Sequence, residues 1–313
     1  MKASEVSNVL MNEMTKVIAG QDELCRMLTI CLISGGHALI EGAPGLGKTL
    51  AARTMAKAVS VPFKRVQFTP DLMPSDILGI NVFDVEHGHF SLRKGPIFTC
   101  FLLADEINRT PPKTQSALLE AMEEGRVTID GAEYSLEQPF MVFATQNPIE
   151  YEGTYPLPEA QLDRFMMKLN VDYPVRTEET RIFQNVQSGF DSHVIAEVQA
   201  VLTGGEIMAA RAEAKLVRVE ESLIGYILDI LEATRKSPNT LLGASPRAGI
   251  ALMSAGKVMA LIDGRDFCVP EDFQSLAKAV LRHRIILTPD AEIDGLTPDK
   301  ILDSLISRVP VPR

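Results

Sequence analysis

The chain has 313 residues, 46% of them hydrophobic, and a formal net charge of −10, which gives material for a sizeable core and length for two domains. The acidic balance, with no run of Lys or Arg, argues against a phosphate-backbone binder; no apolar run approaches the ~18–20 residues of a membrane span, and the N-terminus from Met1 to Val6 has no apolar leader. Cys25, Cys31, Cys100 and Cys268 are scattered among apolar neighbours, as expected of buried thiols in a reducing, cytoplasmic chain rather than a disulfide frame or zinc site.

Apolar positions at helical spacing predict a helix over 4–15 and, after a turn at 17–22, a second over 23–34, with Asp22 as its cap and Gly35-Gly36 as its end. The short apolar run 37–41 reads as a strand. It is followed by Gly42, Ala43, Pro44, Gly45, Leu46, Gly47, Lys48 and Thr49, and then by an Ala-rich helix former from Leu50 to Val59. A second strand is expected over 63–68. A loop with one helical turn follows over 69–79, and then a hairpin formed by 81–84 and 89–92 around a tip at 85–88. His87 and His89 read as residues of a solvated hairpin tip. The continuous apolar run 96–104 suits a strand buried on both faces and leads into Asp105 and Glu106. Next come a helix over 114–124, a hairpin over 126–135 turning at Asp130-Gly131, a buried strand over 140–147, a short helix over 158–165 and a last strand over 167–171.

Strands and helices alternate up to about Pro174, the pattern of a doubly wound α/β domain with a parallel sheet. Beyond Arg176 the chain reads as helices only, over 178–187, 193–202, 207–215, 222–235, 247–262 and 273–283. The expected division is therefore an α/β core over 1–176, carrying a hairpin insert at about 69–97, and an all-α domain over 177–313.

The segment 42–49 fits G-x-x-x-x-G-K-[ST] between a strand and a helix, the context that turns the pattern into a phosphate site. Glycines let backbone N–H groups turn inward around a phosphate, and the following helix points its positive end at the same group. Lys48 would place a charge on the β- and γ-phosphates and Thr49 its hydroxyl on Mg²⁺. An apolar strand ending in two acids is the second nucleotide signature. Asp105 would hold Mg²⁺ through water and Glu106 would orient and deprotonate the attacking water. ATP and Mg²⁺ are thus the expected ligands.

Five further stretches, 104–109, 112–122, 144–148, 162–165 and 244–248, stand in an order that resembles the MoxR family of AAA+ ATPases over nearly the whole chain. The resemblance implies a P-loop core with a five-stranded parallel sheet, a helix-2 insert at 69–97 and a helical lid. It implies that Asn147 is sensor 1, that Arg164 is an arginine finger reaching a neighbour's γ-phosphate, and that Arg247 is sensor 2, acting in its own or a neighbour's site. Ile18 and Leu50 are implied on the nucleotide, with Mg²⁺-ATP between core and lid. Taken alone, Arg164 after Asp163 would read as a surface salt bridge, and Arg109 either as an interface residue or as a solvated one. The family implies a hexameric ring and a protein client, often one with a von Willebrand factor A domain, and chaperone-like remodelling or cofactor and metal insertion. A nucleic-acid-stimulated motor, a nucleotide-gated scaffold and a chelatase-type motor subunit are the rival readings.

Overall fold

Each apolar run of the first half is short and ends in Gly, Asp or an amide residue, so the strands stop level with one another and deliver polar groups to one edge. The computed structural model describes residues 1–147, 154–187 and 197–312. Its elements are, in order, α1 (Ala3–Thr15), α2 (Asp22–Ser34), β1 (Ala38–Gly42), α3 (Lys48–Ala58), β2 (Phe63–Gln67), α4 (Pro74–Leu78), β3 (Gly79–Asp84), β4 (His89–Lys94), β5 (Phe101–Asp105), a 3₁₀ turn at Ile107–Arg109, and α5 (Pro112–Glu124). There follow β6 (Arg126–Ile129), β7 (Ala132–Ser135), β8 (Met141–Gln146), α6 (Glu159–Leu162), β9 (Met167–Val171), α7 (Arg176–Gln187), α8 (Gly204–Lys215), α9 (Glu221–Lys236), β10 (Thr240–Leu242), α10 (Pro246–Ile262), α11 (Pro270–Leu281), β11 (Ile286–Leu287), α12 (Pro289–Ile293) and α13 (Pro298–Ile306).

The central sheet has five strands in the order β2-β5-β8-β1-β9, and every pairing in it is parallel. Strand β8 thus lies between the strand that feeds the glycine loop and the strand that ends in Asp105. The C-terminal ends of β1, β5 and β8 form one ledge, where open α/β sheets bind ligands. The three central strands β1, β5 and β8 are buried on both faces, which is why they read as apolar runs without alternation, whereas the edge strand β2 exposes Lys64, Arg65 and Gln67. Ile40, Phe101, Leu103 and Phe143 point into one cluster with α1, α2 and α3, and Phe101 and Phe143 meet edge to face with ring centroids 5.6 Å apart. Leu39, Leu102, Ala104 and Val142 point into the other, against α5 and the β6–β7 hairpin. Each fully buried Phe or Leu contributes about 1.5–3 kcal/mol.

The first cluster continues without a break into α8, α9, α10 and α11. The C-terminal helices are therefore packed on α1 and α2, not on the ledge, and Arg211 of α8 donates from Nε to the Leu32 carbonyl at the end of α2 at 3.0 Å. Several expectations are corrected. The strand expected over 96–104 begins only at Phe101, because 96–100 are turns and bends. Asp22 is the first helical residue of α2, and Gln21 takes the cap position. The helix expected over 193–202 starts outside the described residues, and 197–202 is not helical. The helical part also carries a small antiparallel pair, β10–β11, whose strands are too short to show a pattern.

His37, just before β1, ties the sheet to α5. Its Nδ1 accepts the Val142 N–H at 3.0 Å and its Nε2 lies 3.0 Å from the Met122 carbonyl, so the ring is neutral with the proton on Nε2. Burial, partly offset by the Met122 bond, pushes its pKa from 6.5 down to about 4. The folded state therefore prefers the neutral ring. The contribution is complete above pH 6.5 and is lost as pH falls from there through 4, up to roughly 3 kcal/mol. An NMR titration of the His37 ring should show a midpoint near 4; a midpoint at or above 6.5 would contradict the assignment.

Candidate nucleotide site

The glycine loop joins β1 to α3. Gly45 has φ +84° and Gly47 φ +79°, and nothing lies within 4 Å of where a Cβ would stand at either residue. The glycines are required by the left-handed backbone, and the space they leave faces the cavity. The loop leads straight into α3, whose first-turn N–H groups have no helical carbonyl to bond. Lys48 opens α3, and its Nζ donates to the carbonyl of Gly42 and, at 3.2 Å, to that of Gln146. The ammonium is thus held over the ledge between the ends of β1 and β8.

Asp105 ends β5 and is 8% exposed. Its Oδ1 accepts the Thr145 hydroxyl at 2.6 Å, and its Oδ2 accepts from Arg65 Nε at 3.0 Å and Nη2 at 2.6 Å. Glu106 has φ +57° and ψ 50°, a left-handed conformation that costs a non-glycine residue about 1 kcal/mol or more. Its N–H donates to Thr145 Oγ1 at 2.9 Å, so one threonine holds both acids, one through its proton and the other through its lone pair. The Glu106 carboxylate receives Gln67 Nε2 at 2.6 Å, with Arg109 Nε at 3.2 Å from the same oxygen. Arg109 therefore lies on the second acid, which neither sequence reading of it anticipated.

These groups open into a cavity of about 690 Å³. Ile18, Pro44, Gly45, Leu46, Gly47, Lys48, Thr49, Leu50, Asp105, Glu106 and Asn147 all line it. Gly42, the last residue of β1, and Ala43 after it are not among the residues that line it. One half is polar, with the loop, Lys48 and the two acids; the other is apolar. The apolar wall is Val17 and Ile18 on one side and Tyr173, Ile182, Phe183 and Val186 on the other. Sequence reasoning missed that second side. Phe183 is 73% exposed, and its signal was an apolar group on an otherwise very polar helix, α7.

Arg164 and Arg247 do not line the cavity. Arg164 Nε sits 2.9 Å from Glu123 Oε2, and Arg247 Nη1 3.0 Å from Oε1 of the same carboxylate. Arg247 Nε is 3.9 Å from Asp163, whose Oδ1 accepts from the buried Arg284 at 2.6 Å. The two arginines thus stand side by side on Glu123 of α5, one from the loop before β9 and the other from the start of α10. Of the expected all-α part, the described residues that reach the cavity extend only to Val186, so ATP would lie against α7 and not against α8–α13.

A family model for the ATPase family associated with various cellular activities (AAA) matches residues 37–167, and one for the AAA lid domain matches 232–305. The uncharacterized protein YeaC of Bacillus subtilis is 46% identical over 95% of this chain and 92% of its own. Chaperone MoxR1 of Mycobacterium tuberculosis is 41% identical over 96% of this chain and 81% of its own. The chain belongs to the MoxR family of AAA+ ATPases. A crystal structure from Cytophaga hutchinsonii, of a protein described as a candidate ATPase, matches with a TM-score of 0.90 and 41% identity, covering 99% of this chain and 96% of that one. Fold, ATPase class and nucleotide binding follow for this MoxR-type chain. The matched AAA segment contains the loop, both acids, Asn147 and Arg164, and the matched lid segment contains Arg247. Among the described residues no helix is long and apolar enough to cross a membrane.

Proposed function

We propose that this MoxR-type ATPase hydrolyses Mg²⁺-ATP as a ring, hexameric by family resemblance, and uses the cycle to remodel a partner protein. The observation that carries the ring is the separation of Arg164 and Arg247 from the cavity. Each chain holds a loop, a lysine and two acids in one place and presents a pair of arginines in another, so a neighbour would complete the site. A chaperone-like output is supported by the likeness to Chaperone MoxR1; a client with a von Willebrand factor A domain and a metal or cofactor insertion task remain family implications. The same reading divides the chain into a core over 1–176 and a lid over 177–313.

In this reading the loop N–H groups and Lys48 bind the phosphates, and Ile18, Ile182 and Phe183 bury the base. Asn147, buried at the end of β8 between the two signature strands, orients the attacking water. Glu106 takes its proton. Arg164 and Arg247 of the adjacent subunit stabilise charge on the transferring phosphoryl group. Thr49 and Asp105 are hard oxygen donors on the cavity wall and fit a magnesium ion. When bound, that ion neutralises charge across the β- and γ-phosphates.

Specific ATPase activity measured against protein concentration tests the ring. It should rise steeply with concentration, in step with a shift to a large species in sedimentation velocity. Activity per chain that stays flat down to the monomer would remove the shared site and leave a single-chain ATPase.

A further inference from the structure

Arg65 has no part in the reaction just described, yet among the described residues it makes a closer ionic contact with the two acids than Arg109 does, 2.6 Å against 3.2 Å. Its position follows from the register. Gln67 of β2 stands opposite Asp105 of β5, and Arg65, two residues back on the same face, reaches forward along the strand edge. Two of its bonds, at 3.0 and 2.6 Å, go to Oδ2 of Asp105, and its Nη2 also donates to Gln67 Oε1 at 2.9 Å. A carboxylate oxygen has two lone pairs, so that oxygen is filled. Oδ1 already carries the Thr145 hydroxyl, which leaves one acceptor position on the carboxylate. Asp105 is buried, whereas the Arg65 side chain is 51% exposed. The carboxylate cannot turn away to water, but the guanidinium can swing into it, releasing a contact of modest net strength.

We propose that Arg65 competes with the divalent cation for Asp105, and so sets the Mg²⁺ concentration at which the nucleotide site fills. The inference rests on the reading of Asp105 as a magnesium residue. A guanidinium paired with this carboxylate offsets the charge that would attract a dication, and it repels any cation brought within a few ångströms, in surroundings less polar than bulk water. It also spares the protein an uncompensated buried carboxylate. The grip on Mg²⁺-nucleotide is thereby weakened by a residue that touches neither phosphate nor base.

The test is a Mg²⁺ titration of the full chain with a fluorescent N-methylanthraniloyl-ADP, read as bound nucleotide, for the wild type, Arg65→Ala, Arg65→Lys and Asp105→Asn. Arg65→Ala should lower the half-saturating Mg²⁺ about threefold or more. Arg65→Lys, with a single point charge instead of a fork, should fall between, and in excess EDTA all Arg65 variants should bind as the wild type does. An unchanged or raised Mg²⁺ requirement in Arg65→Ala overturns the proposal, since Arg65 would then be a bystander or an orienting group. Weaker binding in EDTA overturns it too, because the guanidinium would then contact phosphate. Wild-type binding that ignores both Mg²⁺ and Asp105→Asn would refute the magnesium reading itself. That differs from Asp105→Asn raising the requirement while Arg65→Ala fails to lower it, which refutes the competition alone.

Discussion

Glu106→Gln should bind ATP with near wild-type affinity and turn it over about 10²–10⁴-fold more slowly, the range that general-base catalysis supplies. The argument is geometric. Glu106 lines the cavity beside Thr145 and Asn147, and its left-handed backbone is held by the N–H bond to Thr145 at 2.9 Å. The substitution keeps the side-chain volume and an acceptor facing Gln67, removes the ability to take a proton, and turns the ion pair with Arg109 into a neutral contact. Binding should survive because, in the proposed site, the phosphates would be gripped by the loop and Lys48. Nucleotide affinity and single-turnover hydrolysis, measured on the same preparation, separate the two effects. Unchanged turnover would end the assignment of Glu106 as base.

Arg164→Ala should be as damaging by a different route. A fixed arginine at a transferring phosphoryl group is worth about 10³–10⁵ in rate, and Arg164 is held in place by Glu123 at 2.9 Å. That bond lies outside the cavity, so the variant should bind nucleotide normally. Mixing gives the decisive result. Glu106→Gln subunits still carry Arg164, and Arg164→Ala subunits still carry Glu106, so in the proposed ring a mixture would contain complete sites that neither variant forms alone. The mixture should recover activity well above the sum of its parts. No recovery, together with full activity of Arg164→Ala by itself, would reduce the arginine to a strut on α5.

The MoxR resemblance placed Arg164 and Arg247 by motif, and the sequence also invited a plain pairing of Arg164 with its neighbour Asp163. The structure shows a different partner. Asp163 is taken by Arg284, 121 residues further on, and Arg164 turns to Glu123. Neighbours in sequence at the end of a short helix point in different directions, and the long-range packing of α11 and its following turn decides which one keeps the acid. Arg65 is a similar case. In the sequence it is one basic residue on an edge strand, and only the β2–β5 register brings it to Asp105.

Local rules determined the rest. The glycine loop between a strand and a helix, the apolar runs ending in Asp105 and Asn147, and the change from alternating elements to helices near Arg176 are all legible because backbone φ, strand burial and helix periodicity are written in adjacent residues. The tertiary structure alone decided which helices cover the ledge, that α7 and not α8–α13 closes the apolar side of the cavity, and that two arginines from distant segments share one carboxylate. Those outcomes depend on how elements dock, and docking is set by the shape of a shared core that runs from α1 through the sheet to α11, a property no single stretch of sequence contains.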